Sequence, residues 1–134
     1  MEMRLVLDTN IYIDFGLGKK EIVDLIATRS TKILLPVIVL GELFYGFQKG
    51  KRGRENENKF HRFVDNLGVS IIDVDKEVAR KYSLIYSALS AKGTLIPVND
   101  VWIAACCMSA GGTLLTRDSH FEHIEQIDKI IFAQ

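Results

Sequence analysis

Short apolar runs alternate with longer helical patterns along the chain, and this alternation constrains the fold more than any other feature. Five runs predict strands: RLVLD (4–8), KILLP (32–36), VSIIDV (69–74), TLLT (113–116) and, at the C-terminus, KIIFAQ (129–134). Strands separated by helices join through right-handed crossovers, which give a mainly parallel sheet covered on both faces. The sequence therefore predicts an α/β fold.

The intervening segments predict helices, some with recognisable ends. The helical segments are IYIDFGLG (11–18), KKEIVDLIATR (19–29), PVIVLGELFYGFQKG (36–50), 55–67, KEVARKYSLIYSALSAKG (76–93) and DVWIAACCMSA (100–110). Asn99 is expected to cap the last of these, and Gly111 with Gly112 to end it. The segment 36–50 is almost wholly apolar as far as Gln48, so we expect it to be largely buried.

Composition sets the class of protein. With 134 residues and 48% hydrophobic content, one domain spanning 1–134 is expected. The 17 basic and 17 acidic residues balance, so attraction to a polyanion must be local. Adjacent Cys106 and Cys107 suit a reduced core rather than a disulfide or metal site. No apolar stretch approaches the roughly 20 residues of a membrane helix, and we expect a soluble, cytoplasmic protein.

Three acids occupy positions where parallel sheets bind ligands. Asp8 ends the first strand and is followed by Thr9 and Asn10. Asp118 follows the fourth strand, two residues after Thr116. Ligands bind at the carboxyl ends of parallel strands where chain order reverses, so both acids share that edge if these strands are neighbours. Asp100 stands at a predicted helix N-terminus, which favours negative charge.

Glu42 is a fourth acid in an unusual place. It lies mid-helix with Val39, Leu40, Leu43 and Phe44 close by. An unpaired carboxylate is costly to bury there. Gly41 precedes it, which lets other groups approach that face. Glu42 therefore indicates either a functional site or an ion pair with a distant Arg or Lys.

Each acid has a simpler explanation by itself. Asp100 is also a first-turn helix acid, and Asp118 a turn or cap residue. Together they raise an energetic problem, because two carboxylates ~4 Å apart repel by roughly 4 kcal/mol at an effective dielectric of 20. A cluster persists only if protons or cations neutralise it. Oxygen ligands without zinc-spaced Cys or His favour Mg²⁺ or Mn²⁺, ions that promote phosphodiester hydrolysis.

At these residues the sequence resembles the PIN-domain nucleases and, among them, the VapC-type toxins of toxin–antitoxin pairs. The matching motifs are LVLDTNIYI, LGELFYGF, NDVWIAA and LLTRDSHF, in the family's order and across essentially the whole chain. The resemblance implies a three-layer α/β/α PIN-like fold around a five-stranded parallel sheet. It also implies an endoribonuclease dependent on Mg²⁺, with Mn²⁺ as an alternative, in which a metal-activated water hydrolyses RNA.

The family's functional residues carry over position by position. The catalytic and metal-binding acids are Asp8, Glu42, Asp100 and Asp118. Thr9, Asn10 and Thr116 are expected to orient the carboxylates or a bound water. The resemblance further implies a homodimer, a cognate antitoxin protein and a higher complex of the two on DNA. The family alternative is a PIN-domain nuclease or PIN-like binding module in RNA processing outside a toxin–antitoxin pair.

Other polar residues carry weaker signals. Arg117 is a candidate RNA phosphate contact, with a surface ion pair as the alternative. A second group of cations is interpreted as part of a solvated loop rather than as a set of RNA contacts: Lys49, Lys51, Arg52 and Arg54. Asp14 is interpreted as an exposed helix acid rather than as a residue that borders the site. His120 and His123 are one helical turn apart and are interpreted as surface histidines.

Three unrelated functions fit less well. A phosphoacceptor receiver needs an acidic pair after the first strand and a lysine after the last, and the chain ends in IIFAQ. A haloacid-dehalogenase-type phosphatase needs a second acid where Asn10 stands. A metal-free ribonuclease would use histidines and the substrate's 2′-hydroxyl, and its cleavage would persist in EDTA.

Overall fold

The computed structural model describes residues 3–29 and 32–134, in which a parallel sheet is flanked by helices. The strands are β1 (Arg4–Leu7), β2 (Lys32–Pro36), β3 (Ser70–Ile72), β4 (Thr113–Thr116) and β5 (Asp128–Ile131). The α-helices are α1 (Thr9–Gly16), α2 (Lys20–Arg29), α3 (Val37–Lys49), α4 (Gly53–Leu67), α5 (Lys76–Lys92) and α6 (Val98–Ala110). A 3₁₀ helix (Ser119–His123) lies between β4 and β5.

The sheet has the strand order β3-β2-β1-β4-β5, and every pairing is parallel. The chain builds outward from β1 through β2 to β3, and then returns to add β4 on the other side of β1. Chain order therefore reverses between β1 and β4, where open α/β sheets form their ligand crevice. The expected α/β fold with a five-stranded parallel sheet is confirmed.

The layering follows from the handedness of the crossovers. The connections from β1 to β3 run in one direction along the sheet, whereas α5 and α6 carry the chain back across β2 and β1 to β4. Right-handed crossovers in opposite directions place helices on opposite faces. This gives the three-layer α/β/α arrangement, in which α6 contacts both β2 and β4.

The core is one hydrophobic cluster built from the sheet and the buried faces of the helices. Its central helix is α6, where Ile103 to Cys107 are all fully buried. Burial raises the pKa of both Cys106 and Cys107 to about 12, so these thiols stay protonated and unreactive. Among the described residues, no helix combines the length and apolar character needed to cross a membrane.

Several predicted element details were wrong. Helix α6 begins at Val98 after Pro97, whose side chain makes no cap hydrogen bond, so exposed Asn99 is not the cap. The segment 36–50 is not largely buried, because only Val39 and Leu43 of α3 are buried. The predicted strand 129–134 is shorter in the structure and ends at Ile131.

Candidate functional site

Asp8 lies at the carboxyl edge of the sheet, between β1 and β4. It follows β1 and caps α1, with Oδ1 accepting a hydrogen bond from the Thr9 backbone N–H at 2.8 Å. Its own N–H donates to the Leu115 carbonyl of β4 at 3.0 Å. The residue as a whole is 5% exposed. The strand thus ends on an acid whose position is set both by the sheet and by the next helix.

Thr116 links the two strand ends. Its fully buried hydroxyl donates to Asp8 Oδ2 at 2.6 Å and accepts from the Asp118 backbone N–H at 2.9 Å. One hydroxyl group therefore fixes both the orientation of one acid and the backbone of another. Asn10 adds a weaker contact, from Nδ2 to Asp8 Oδ2 at 3.4 Å.

Glu42 joins this edge from α3. The Thr9 hydroxyl donates to Glu42 Oε1 at 2.6 Å, which connects the first turn of α1 to the second turn of α3. Glu42 is partly exposed and the preceding Gly41 is exposed, so this acid does not lie in a buried part of the helix as the surrounding apolar run suggested. The side chain instead borders solvent at the rim of the edge.

Asp100 and Asp118 meet at the same edge through His120. His120 Nδ1 lies 3.2 Å from Asp100 Oδ2 and 3.0 Å from Asp118 Oδ1. Asp100, Asp118 and His120 each offer one potential ligand atom, and these three atoms all lie within 4.8 Å of one another. Asp118 also begins the 3₁₀ helix, because its carboxylate accepts from the His120 N–H.

His120 is exposed, in agreement with its interpretation as a surface histidine, but its contact with Asp100 and Asp118 was not predicted. The signal that could have found it is its place two residues after Asp118, in a turn short enough to bring the ring back over the acids. His123 remains exposed, and its backbone carbonyl accepts from Lys92.

The electrostatics show that the acids act on one another. Burial raises the pKa of Asp8, opposed by the hydrogen bonds from Thr116 and Thr9 and reinforced by the charges of Glu42 and Asp118. Burial also raises the pKa of Asp100 to about 6, opposed by the hydrogen bond with His120 and reinforced by Asp118 and Asp8. A bound cation would relieve both the desolvation and the repulsion.

Arg117 and Asp14 form an ion pair, which is the alternative that the sequence left open for Arg117, although Asp14 was not predicted as the partner. Arg117 Nε lies 2.7 Å from Asp14 Oδ2, and the two side chains are 28% and 3% exposed. Asp14 was expected to be an exposed helix acid, which is wrong. The Arg117 N–H also donates to Asn10 Oδ1 at 3.1 Å. The segment preceding Asp118 is thus attached to α1 by its backbone and its side chain.

Comparison with known proteins identifies the family. A sequence model described as the PIN domain matches residues 5–127. The chain belongs to the PIN-domain family. This PIN domain is 32% identical over 121 residues to "Ribonuclease VapC2" of Rickettsia felis, covering 87% of each chain. It is 30% identical over 125 residues to "Ribonuclease VapC2" of Haemophilus influenzae, covering 91% of this chain and 92% of the relative.

Solved structures agree with the sequence relatives. One similar structure is VapBC2 from Rickettsia felis, which is bound to a DNA fragment from its promoter. The superposition has a TM-score of 0.84 and 27% sequence identity, and it covers 97% of this chain and 99% of that chain. DNA-bound VapBC from Salmonella typhimurium gives a TM-score of 0.84 and 26% identity, covering 96% and 97%. The family predicted from the four sequence motifs is confirmed.

Proposed function

We propose that this PIN domain is a divalent-metal-dependent endoribonuclease that acts as the toxin of a toxin–antitoxin pair. The observation that carries the proposal is the convergence of Asp8, Glu42, Asp100 and Asp118 at the carboxyl edge where chain order reverses. They come from four separate segments, and relatives at 30–32% identity are named as ribonucleases. Such a cluster is costly unless a cation neutralises it.

The donor set fits a hard dication. We assign the four acids as ligands of Mg²⁺ or Mn²⁺, because carboxylate oxygens are the donors these ions prefer. When bound, the ion supplies a water of lowered pKa and neutralises charge developing on the phosphate. Thr116 and Thr9 hold the carboxylates of Asp8 and Glu42 through the hydrogen bonds described above, so these oxygens need little rearrangement to bind.

Arg117 is assigned as a contact to an RNA phosphate. Its guanidinium is held beside the acidic edge by Asp14 and remains 28% exposed. A guanidinium fixed in this way recognises phosphate oxygens with little loss of side-chain entropy. Asn10 supports the same segment through the Arg117 N–H.

The partners follow from the structural relatives, which are toxin–antitoxin assemblies, two of them bound to DNA. We propose that this chain forms a homodimer, binds a cognate antitoxin protein, and joins a higher complex with that antitoxin on DNA. A cytoplasmic location is part of the same proposal, since its RNA substrate and its partner would be found there.

Cleavage of single-stranded RNA by the purified chain, freed of any partner, tests the function. Activity should require Mg²⁺ or Mn²⁺, disappear in EDTA and leave 5′-phosphate and 3′-hydroxyl ends. Asp8→Asn should lower cleavage by about 10²–10³-fold, since metal polarisation is worth several kcal/mol. Asparagine still accepts the Thr9 N–H as a cap, so the variant should fold.

The matched control is Asp24→Asn, which removes an exposed carboxylate from α2. It should cleave like the wild type. Isothermal titration with Mn²⁺ gives a readout independent of activity, and binding should weaken in the Asp8 variant and not in the Asp24 variant. Undiminished cleavage by folded Asp8→Asn protein, or cleavage that persists in EDTA, would refute the assignment.

A further inference from the structure

The hairpin of α3 and α4 concentrates positive charge in a chain whose net charge is zero. Between residues 49 and 62 there are six Lys or Arg residues and two Glu residues. The basic residues are Lys49, Lys51, Arg52, Arg54, Lys59 and Arg62. Because the whole chain balances 17 cations with 17 anions, attraction to a polyanion has to come from a local surface of this kind.

Part of this charge has a defined geometry. Arg54, Asn58 and Arg62 follow one another at four-residue spacing on α4, so they lie on one face of the helix. Together with Lys51 and Arg52 from the preceding turn, and with Glu55, they line a surface cavity of about 430 Å³. We call these three α4 residues with Lys51 and Arg52 the α4 track. Lys49, Lys51, Arg52 and Arg54 are solvent-exposed as expected, but α4 begins at Gly53 and places Arg54 on a helix rather than in the predicted loop.

The cations of the α4 track are available for a ligand. Within residues 3–29 and 32–134, Lys51, Arg52, Arg54 and Arg62 form no ion pair, although Lys59 lies 3.9 Å from Glu55 on the same helix. All four are exposed. Exposed guanidinium groups held on a helix can donate paired hydrogen bonds to phosphate oxygens.

The α4 track is connected to the acidic edge by both neighbouring helices. Glu42 and Lys49 are separated by seven residues of α3, or about 10 Å at 1.5 Å per residue. A second surface cavity of about 290 Å³ is also lined by Arg62, together with Asn66 and with Phe15 from the last turn of α1, the helix whose N-terminus Asp8 caps. Lys51, the first member of the α4 track, follows Lys49 by two residues, so α3 leads from the acidic edge to the start of the track, a path that a bound polymer can follow.

We propose that the α4 track binds phosphates of single-stranded RNA beside the cleaved bond. The inference rests on the proposed ribonuclease function and assigns its substrate-binding surface. Successive members on α4 are about 6 Å apart along the axis, comparable with neighbouring phosphates of an extended strand. The two arginines, Arg54 and Arg62, are therefore about 12 Å apart along the axis with Asn58 between them, a separation comparable with two phosphate steps. Such side chains contact the backbone and not the bases, so the surface supplies affinity and register without sequence preference.

The test compares two double variants that each remove two positive charges. R54Q/R62Q changes the α4 track, and K76Q/R80Q changes exposed residues of α5. Both are made in the Asp8→Asn background and titrated into a fluorescent single-stranded RNA. R54Q/R62Q should weaken RNA binding about tenfold at 0.1 M salt. It should also reduce the slope of log K against log salt concentration by about 1.4, because each lost phosphate contact contributes ~0.7. K76Q/R80Q should change neither quantity.

In the cleavage-competent background, R54Q/R62Q should raise KM about tenfold and leave kcat within about twofold of the wild type, because the lost contacts act on binding alone. Thermal unfolding should show that both double variants are folded.

Equal affinities and salt slopes for folded R54Q/R62Q and K76Q/R80Q would overturn the proposal. So would unchanged RNA binding accompanied by loss of antitoxin binding, which would assign the surface to a protein partner. Absence of RNA cleavage by the wild type would instead refute the proposed function itself.

Discussion

Thr116 shows how a single buried hydroxyl determines the geometry of the acidic edge. It is the donor to Asp8 Oδ2 and the acceptor from the Asp118 N–H, and it is fully buried. A valine of the same shape would leave the Asp118 N–H and one Asp8 oxygen without these partners, which costs about 1–3 kcal/mol per buried group. The threonine therefore connects folding of β4 directly to the position of two candidate metal ligands.

Asp14→Ala should destabilise the protein by about 3 kcal/mol, because it removes the buried carboxylate that pairs with the partly exposed Arg117 guanidinium. Lys19 Nζ lies 3.1 Å from Asp14 Oδ1, without hydrogen-bond geometry, so a second cation also loses its counter-charge. Urea denaturation of wild type and variant measures the difference. Metal affinity should fall as well, because Arg117 anchors the segment that carries Asp118.

The control is Asp24→Ala on α2. Lys20 and Asp24 are 2.9 Å apart, closer than Lys19 and Asp14, but both are exposed. An exposed pair of this kind contributes about 0–1 kcal/mol, so the control should be nearly neutral. Equal effects of the two substitutions would show that burial of Asp14 adds nothing to its ion pair.

The junction between α6 and β4 depends on two glycines with different tasks. Gly111 ends α6 with a positive φ of 67°. Gly112 has no such conformation, but a Cβ there would lie 2.7 Å from Val6 Cγ2 and 3.1 Å from the Arg4 carbonyl oxygen. Close approach of β4 to β1 therefore requires the absence of a side chain, and this approach brings Asp118 beside Asp8.

Gly112→Ala should accordingly lower the free energy of unfolding by about 1–3 kcal/mol through overpacking. Gly46→Ala provides a control of opposite sign: Gly46 is an exposed position of helix α3 with nothing within 4 Å of the added Cβ. Alanine there should stabilise by about 0.5–1 kcal/mol through its higher helix propensity. Urea denaturation of the isolated chain measures both, and two changes of the same sign would contradict the packing argument.

Local sequence signals predicted most elements and missed specific ends. Apolar runs located all five strands, and the structure adds that Asp75, a residue type typical of caps, caps α5 through the Val78 N–H. The start of α6 was misplaced because Asn99 is a strong cap by residue type, whereas the chain enters the helix directly after Pro97. A local preference is overridden where a preceding proline already fixes the entry of the chain.

The site is the part of the molecule that sequence predicts least completely. Asp8 and Asp118 were expected at the same edge because each follows an apolar strand. That expectation required only that β1 and β4 be neighbours, as they are. The pairing of Arg117 with Asp14 spans 103 residues, and the contact of His120 with Asp100 spans 20. Such contacts depend on how α1 and the 3₁₀ helix are oriented by packing, which no local pattern encodes.

The metal-free protein should lose stability as the pH rises from about 4 to 6. The pKa of Asp100 is raised from 3.8 to about 6 in the fold, mainly by burial, and that of Asp8 is raised for the same reason. In this pH window the unfolded chain ionises while the folded chain keeps its protons. The free energy of unfolding then falls by on the order of 1 kcal/mol for each pH unit, until the folded carboxyl groups ionise as well.

A divalent ion should reverse this loss, because it binds the ionised carboxylates of the folded chain alone. At 100 times its Kd it adds about 2.7 kcal/mol. Thermal unfolding in EDTA and in Mg²⁺, between pH 4 and 8, measures both effects. Asp100→Asn should be more stable than the wild type in EDTA at pH 7, equal to it near pH 4, and gain less from Mg²⁺. The contradicting result is a difference in unfolding free energy between wild type and Asp100→Asn, both in EDTA, that does not change between pH 4 and 8. Ionising Asp100 would then cost the folded state nothing, and a bound cation would have no such cost to offset.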